Sequence, residues 1–376
     1  MPPEKPHWVD LLSEVVRSGQ CTGCAACVIA CPHDVLRYDG REGPYRPWKV
    51  DEDGGPDNCT HGTRGCTLCT RACPRFRDWE VEADTFLFGA PRSPGHVYGE
   101  SRELLAARAT NETILQAAQD GGAVSAILIA ALENGTVEAA LVSSAKDGPG
   151  GADGGSVPLP ALATNRQEIV EAAGSRYTYS TNTLAYFDAI ERGYERLAMV
   201  GTGCMASIPA VMKARKTGKS GRRFVLSVGL LCSKTFDESI YDELFEARYG
   251  ATRSSIAKVN IKGRFQVWLK DGQYVEIPLK EGRDWTREGC KMCPDFAAEH
   301  ADISAGGIGD LSGWTLLVVR TNEGQAAVRA AVEAGLLETR PAADDPAALS
   351  VLGKLSTASR RRWTNAAYAA PAASGS

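Results

Sequence analysis

Cysteine offers this chain its most distinctive chemistry, and the spacing is regular. Cys21, Cys24, Cys27 and Cys31 follow a C-x2-C-x2-C-x3-C pattern that ends on Pro32. Three thiolates at this spacing wrap one corner of a four-iron cubane, and the fourth, just before proline, turns away to a second cluster. Cys59, Cys66, Cys69 and Cys73 repeat the ending before Pro74, with the first gap stretched to six residues. The cross-over rule predicts one [4Fe–4S] cluster on Cys21, Cys24, Cys27 and Cys73 and another on Cys31, Cys59, Cys66 and Cys69. Zinc is the competing occupant, because C-x2-C pairs suit it. A four-ligand zinc site, however, has no use for the third C-x2-C step or the Cys-Pro ending.

The other cysteines are Cys204, Cys232, Cys290 and Cys293, which complete a total of twelve. Gly201-Thr202-Gly203-Cys204 and Gly229-Leu230-Leu231-Cys232 each follow an apolar run, and Cys290-Lys291-Met292-Cys293-Pro294 adds a further pair. Glycine-flanked turns let backbone amides face cluster sulfurs, which favours a third cluster. By spacing alone, two isolated core thiols and an incidental pair fit as well.

These ligands need elements to hold them. Asp120-Gly121-Gly122 opens an amphipathic helix in which Val124, Ile127, Leu128, Ala131 and Leu132 share a face and Gly135 supplies the stop. Glycine lets a backbone approach a phosphate, and the free amides and dipole of a helix start favour an anion; a plain turn is the alternative. A strand over 136–142 follows. Leu197–Val200 and Phe224–Val228 read as apolar strands running into glycine-rich turns. Phe265, Val267 and Leu269 alternate with polar residues, as do Val275, Ile277 and Leu279, and Asp271-Gly272 joins the two runs as a β-hairpin. Lys262-Gly263 precedes the hairpin and offers an ammonium to a carboxylate or phosphate, or simply to water. Thr315–Val319 is a further strand, followed by a helix over 322–334; a short helix is expected near 8–18.

Composition divides the chain. Residues 1–95 hold eight of the twelve cysteines and little periodic apolar pattern, so this part needs metal to hold it together. Residues 96–340 alternate helix and strand around a surface loop at Lys146–Pro160, and 341–376 form a C-terminal helix and tail. The expected fold class is α/β (α+β), preceded by a small ferredoxin-like iron–sulfur domain. A chain of 376 residues with 43% hydrophobic and 23% charged residues is ordinary for a globular protein with two cores. A net charge of −4 argues against nucleic acid as a partner. No apolar run is long enough for a membrane span. The N-terminus lacks a secretory pattern, so a cytoplasmic location with reduced cysteines is expected. The basic run Lys213, Arg215, Lys216, Lys219, Arg222, Arg223 reads as a solvated helix end or a surface for an acidic carrier. His7, His33, His61, His96 and His300 form no ligand set.

From Asn111 to about Arg362 the chain resembles the beta subunit of coenzyme F420-reducing hydrogenase and its dehydrogenase relatives. The resemblance rests on Ala118–Ser125, Ala173–Ser180, Val228–Cys232, Leu279–Glu281, Gly289–Cys293, Ala301–Gly306 and Arg320–Gly324, in that order. It implies FAD, a [4Fe–4S] cluster on Cys204, Cys232, Cys290 and Cys293, and coenzyme F420 as the hydride-exchanging substrate. It also implies a flavin site that draws on Asp120, Gly121, Gly122, Ser125, Ser175, Arg176, Tyr177 and Lys262. Asp302, Ser304, Gly306 and Gly309 either line that flavin or make room for the third cluster. Gly203 stands where the family has proline before the cysteine, which predicts a looser backbone there.

The implied function is conversion between hydride and single-electron chemistry, with FAD between F420 and three clusters and with ferredoxin or a partner subunit at the far end. No side-chain acid or base is assigned to it. Two alternatives stand beside it: a ferredoxin-dependent reductase of a chlorophyll-type pigment, and a relay subunit without enzymatic activity.

Overall fold

The computed structural model describes residues 5–38, 45–50, 55–145 and 157–362. Thirteen strands occur among them: β1 Leu36–Tyr38, β2 Pro47–Lys49, β3 Glu103–Ala109, β4 Ala139–Ser144, β5 Leu159–Ala163, β6 Leu197–Thr202, β7 Phe224–Leu230, β8 Ile256–Ile261, β9 Arg264–Leu269, β10 Tyr274–Pro278, β11 Ile303–Gly306, β12 Thr315–Val319 and β13 Leu337–Pro341. Eight of these build one sheet in the order β13-β3-β12-β11-β7-β6-β4-β5. Strands β3, β11, β7, β6 and β4 run in one direction, and β12, β13 and β5 oppose them.

The period of two along the central strands decides which face each residue covers. Ala140 and Val142 of β4, Ala198 and Val200 of β6, and Leu226 and Val228 of β7 point to the core beneath the Ala123–Glu133 and Asn322–Glu333 helices. Ala139, Leu141, Leu197 and Met199 point the other way. There they meet Cys24, Ala26, Ile29, Ala30 and Ala72 of the cysteine-rich part. That first part therefore shares an apolar core with the main sheet. Its helix Trp79–Phe88 packs on the Ile208–Ala214 helix through Trp79, Ala83, Ala210 and Val211.

A buried charge network closes the same seam. Arg92 Nε donates to Asp84 at 2.7 Å, Asp84 meets His300 Nε2 at 3.0 Å, and Arg360 Nη1 donates to Glu80 at 2.6 Å. Glu299 accepts from both Arg92 and Arg360. Arg360 ends the C-terminal helix Pro346–Arg360, so that helix clamps the first part from outside. The chain does change character near residue 95, as composition suggests, but the fold does not part there.

The helix opened by Gly122 runs from Ala123 to Glu133, and Gly135 closes it at φ +75°. Val137 donates back to the Ala131 carbonyl, so the next strand begins at Ala139 rather than at the expected 136. The hairpin forms as expected, with Val267 opposite Val275 and Phe265 opposite Ile277. A third strand, β8, joins it through an irregularity between Ile256 and Lys258. That break puts its buried residues Ile256 and Val259 three apart, which hides the strand from a period-two reading. The loop expected at Lys146–Pro160 lies outside the described residues except at its end, where Leu159 and Pro160 begin the edge strand β5. Among the described residues no helix is long and apolar enough to cross a membrane.

Candidate functional site

Cys21, Cys24, Cys27 and Cys73 line one small cavity, with Thr22 and Arg75 in its wall. Local backbone geometry aims these sulfurs. Ala25 adopts a left-handed conformation at φ 58° just before the short helix Ala26–Ile29, which turns Cys24 and Cys27 inward. Cys73 ends the helix Leu68–Ala72 in an extended conformation, so its sulfur leaves its own helix for the first group. This is the cross-over arrangement expected from the two Cys-Pro endings.

The buried thiols of several of these cysteines have the expected partners among their electrostatic neighbours. Burial pushes the Cys24 and Cys27 thiols up, and Cys73 is the next contributor to both. Burial likewise raises Cys69, followed by Cys66, with Cys31 and Cys59 adding to it. Cys232 is raised by burial and then by Cys290, Cys204 and Cys293. Burial pushes Cys293 up to about 12, against the pull of Arg75. Grouped, buried thiols of this kind ionise only where positive charge lies at their centre, as cluster iron would supply. Among the described residues no three His, Cys, Asp or Glu side chains converge as a single-ion site would require. In a cubane each thiolate takes its own iron, so its sulfurs stay apart.

The groups are also ordered. Cys204 acts on Cys21 and Cys24, while Cys69 acts on Cys27. The Cys21 group thus lies between the other two.

The third group sits beyond the carboxyl ends of parallel strands, where open α/β sheets place ligands. Cys204 follows β6, and its sulfur lies 3.2 Å from Thr202 Oγ1 and 3.8 Å from Tyr179 Oη. Cys232 follows β7 and donates its amide to the Phe296 carbonyl. Thr235 Oγ1 is 3.5 Å from Cys290 Sγ, and Arg75 Nη2 donates to Cys293 Sγ at 3.1 Å. Gly203 is not a loose point in the backbone: the Asp295 carboxylate packs against it where a Cβ would stand. Glycine is required there by contact rather than by mobility.

The expected flavin residues divide into two sets. Asp120, Ser175, Tyr177 and Lys262 come together between the main sheet and the β8–β10 sheet. Burial raises the Asp120 carboxyl, and Lys262 and Lys258 pull it back. Burial raises Tyr177 as well, and both Asp120 and Cys232 act on it. Its hydroxyl donates to Asn260 Oδ1 at 3.2 Å. Ser175 N–H reaches Gln119 Oε1 at 3.4 Å, and Lys258 Nζ donates to the Gln119 carbonyl at 3.2 Å. Arg176 is beside them but turns its Nη1 to the Ala173 carbonyl at 2.8 Å. Sequence does not single out Lys258 or Asn260, since nothing local distinguishes them, and assigns no role to Gln119.

The second set is occupied with protein. Gly121 donates its amide to Thr315 Oγ1 at 3.2 Å, and a Cβ on it would stand 2.7 Å from the Ala107 carbonyl oxygen. Gly122, at φ +70°, faces Ile114 and Ala109. The close approach these glycines allow is therefore to β3, β12 and the preceding helix. Ser125 is buried within the helix itself. Asp302 accepts from Ser227 N–H at 2.7 Å and from Thr321 Oγ1 at 2.6 Å. Ser304 donates to the Ala298 carbonyl at 3.1 Å and accepts from Arg320 Nε at 2.9 Å. Gly306 lies against Leu231, and Gly309 against Asp345. The stretch that read as a ligand loop contains β11, at the centre of the sheet. In the basic run, Arg215 is no solvated end: it donates to the carbonyls of Thr70, Cys73 and Phe76, which fastens the Cys73 loop.

Comparison with known proteins agrees with this architecture. Residues 104–186 and 194–345 match the N-terminal and C-terminal models of the coenzyme F420 hydrogenase/dehydrogenase beta subunit, and residues 20–76 match a 4Fe–4S dicluster domain. The beta subunit of the coenzyme F420 hydrogenase of Methanothermobacter thermautotrophicus is 35% identical over 273 residues, covering 71% of this chain and 94% of that protein. A component of the F(420)H(2) dehydrogenase of Methanosarcina mazei is 26% identical over 324 residues, covering 84% of this chain and 83% of that protein. A chain of the F420-reducing [NiFe] hydrogenase complex from Methanosarcina barkeri superposes with a TM-score of 0.66 at 28% identity, covering 70% of this chain and 90% of that one. With its parallel-strand core, its convergent cysteine groups and these matches, the chain belongs to the family of coenzyme F420 hydrogenase/dehydrogenase beta subunits, which are F420-linked oxidoreductases, and carries a 4Fe–4S dicluster domain at its N-terminal end.

Proposed function

We propose that the chain exchanges a hydride with coenzyme F420, holds FAD beside Tyr177 and carries three [4Fe–4S] clusters that link it to ferredoxin or a partner subunit. The observation that supports this most is that the Tyr177 carbonyl accepts from Phe236 N–H at 3.0 Å, on the segment that carries Cys232, with Asp120 beside the same Tyr177. A flavin resting on Tyr177 would therefore adjoin the Cys232 group. When bound, FAD supplies the exchange between a two-electron hydride donor and one-electron clusters. The protein's own residues bind and orient. Lys258 and Lys262 offer positive charge to phosphate or carboxylate groups, Tyr177 offers an aromatic face, and Asn260 holds the Tyr177 hydroxyl in place. The Cys204, Cys21 and Cys31 groups, in series, favour a relay whose last member meets the partner.

The test is anaerobic purification followed by release and identification of flavin. F420 oxidation and reduction are then assayed with ferredoxin and with viologen as alternative partners. F420 turnover that needs bound FAD supports the reading. A preparation that holds iron but no flavin, and does not turn over F420, would leave a relay subunit.

A further inference from the structure

Two arginines are buried where cations are costly. Arg75 is 3% exposed and Arg287 is 7% exposed. Arg92 and Arg360, in the neighbouring network, are each paired with carboxylates. Arg75 and Arg287 have no such ion pair among the described residues, and Arg75 Nε and Arg287 Nη1 find no hydrogen-bond partner there. A buried guanidinium without a counter-anion is strongly destabilising. Asp237 near Arg287 and the carboxyls of Asp295 and Glu80 near Arg75 do not pair with them, which leaves room for a closer anion facing both.

The surroundings identify it. Arg75 lines the cavity of Cys21, Cys24, Cys27 and Cys73, and its Nη2 donates to Cys293 Sγ at 3.1 Å. It thus touches two cysteine groups at once. Its flanks are Trp79, whose ring lies 4.8 Å beneath it, and the Asp295 and Glu80 carboxyls farther off. Arg287 approaches from the other side. It stacks 3.6 Å over Tyr179 and 4.8 Å over Tyr45, its Nη2 lies 2.8 Å from where a Cβ on Gly23 would stand, and it acts on Cys21. Cys290 and Cys204 act on Arg287 in turn.

We propose that Arg75 and Arg287 are shared counter-cations of the two facing clusters, on Cys21/Cys24/Cys27/Cys73 and on Cys204/Cys232/Cys290/Cys293, and hold both reduction potentials up together. A four-thiolate cluster is anionic and gains one negative charge on reduction, so a fixed buried cation favours the reduced form. A cation serving both clusters would raise both potentials in the same direction. Any electron passing between them would leave one cluster oxidised by one electron and the other reduced by one. The guanidinium groups stay protonated and no proton moves. The inference rests on the three-cluster reading given above.

The experiment is a redox titration of the full chain followed by electron paramagnetic resonance, with iron counted per chain. Arg75→Gln removes the charge and Arg75→Lys keeps it. Arg75→Gln should hold its iron and move both inner clusters to more negative potential. A tenfold fall in the reduced-to-oxidised ratio at fixed poise corresponds to about 59 mV for a one-electron couple. Arg75→Lys should recover most of the shift, and the outer cluster on Cys31, Cys59, Cys66 and Cys69 should not move. Should Arg75→Gln fail to retain iron, Arg287→Gln carries the test, because it acts on the same pair from another element. Unchanged inner potentials with about twelve irons present would overturn this inference alone. About eight irons in the parent protein would overturn the three-cluster reading and this inference with it.

Discussion

Gly289 packs directly on the main chain of Cys21: a Cβ there would stand 2.8 Å from the Cys21 carbonyl carbon and 3.0 Å from Thr22 Cα. The loop that carries Cys290 and the loop that carries Cys21 therefore touch backbone to backbone, although most of the chain separates them. Gly289→Ala must push the loops apart, at a cost of about 1–3 kcal/mol for overpacking. Thermal melts and iron assays should show lower stability and lower iron together. An unchanged melt and full iron would mean the loops are not in contact.

Cofactor content follows from the grouping of sulfurs. Anaerobically reconstituted protein should hold about twelve iron and twelve acid-labile sulfide, four per cubane. Cys232→Ser should remove about four of each and leave the dicluster signals intact. Zinc in place of iron, or loss of all iron in that variant, would contradict the assignment.

The helix that follows Gly122 and the lysines beyond it should separate under mutation. Gly122 holds φ +70° with Ile114 Cγ2 3.0 Å from the Cβ position, so Gly122→Val should cost on the order of 1–3 kcal/mol of stability. Flavin and iron should then fall in proportion to the folded fraction. Lys262→Gln should leave the melt unchanged and weaken FAD binding roughly fivefold, about 1 kcal/mol for an exposed charge. Equilibrium dialysis of FAD beside a thermal melt distinguishes the two. Selective loss of flavin in Gly122→Val would restore that glycine to the phosphate site.

Acid should loosen the seam between the cysteine-rich part and the C-terminal helix. Burial alone would raise the Asp84 carboxyl, but His300 and Arg92 outweigh it and hold it well below its ordinary value. A depressed folded-state value means the stabilisation is complete above the unfolded carboxyl range, near pH 4, and is lost as pH falls from there. Asp84→Asn leaves Arg92 short of a counter-charge and should cost about 3–5 kcal/mol at neutral pH. It should also flatten the acid limb of a stability-against-pH curve. An acid limb as steep as the parent's would place the titrating group elsewhere.

The cluster ligands of the first part were legible because cubane ligation is largely a local matter. Cys21, Cys24 and Cys27 are set by chain spacing, and the Cys-Pro ending predicts that Cys73 joins them; it lines the same cavity. The hairpin at Asp271-Gly272 and the helix stop at Gly135 were legible for the same reason, since turn and cap chemistry act within a few residues. What spacing alone left open was whether Cys204, Cys232, Cys290 and Cys293 meet; strand order settles that by bringing the ends of β6 and β7 side by side. That Asp302 and Ser304 lie in or beside a central strand and are hydrogen-bonded within the protein was not legible, because a strand of small residues reads like a glycine-rich loop until its neighbours are known. Arg75 could not be distinguished at all, for its partner Cys293 lies 218 residues away. The sequence by itself determined which residues can bind iron. Only the tertiary structure decided which groups face one another and which charges lie between them, because burial and electrostatics depend on distance in space rather than along the chain.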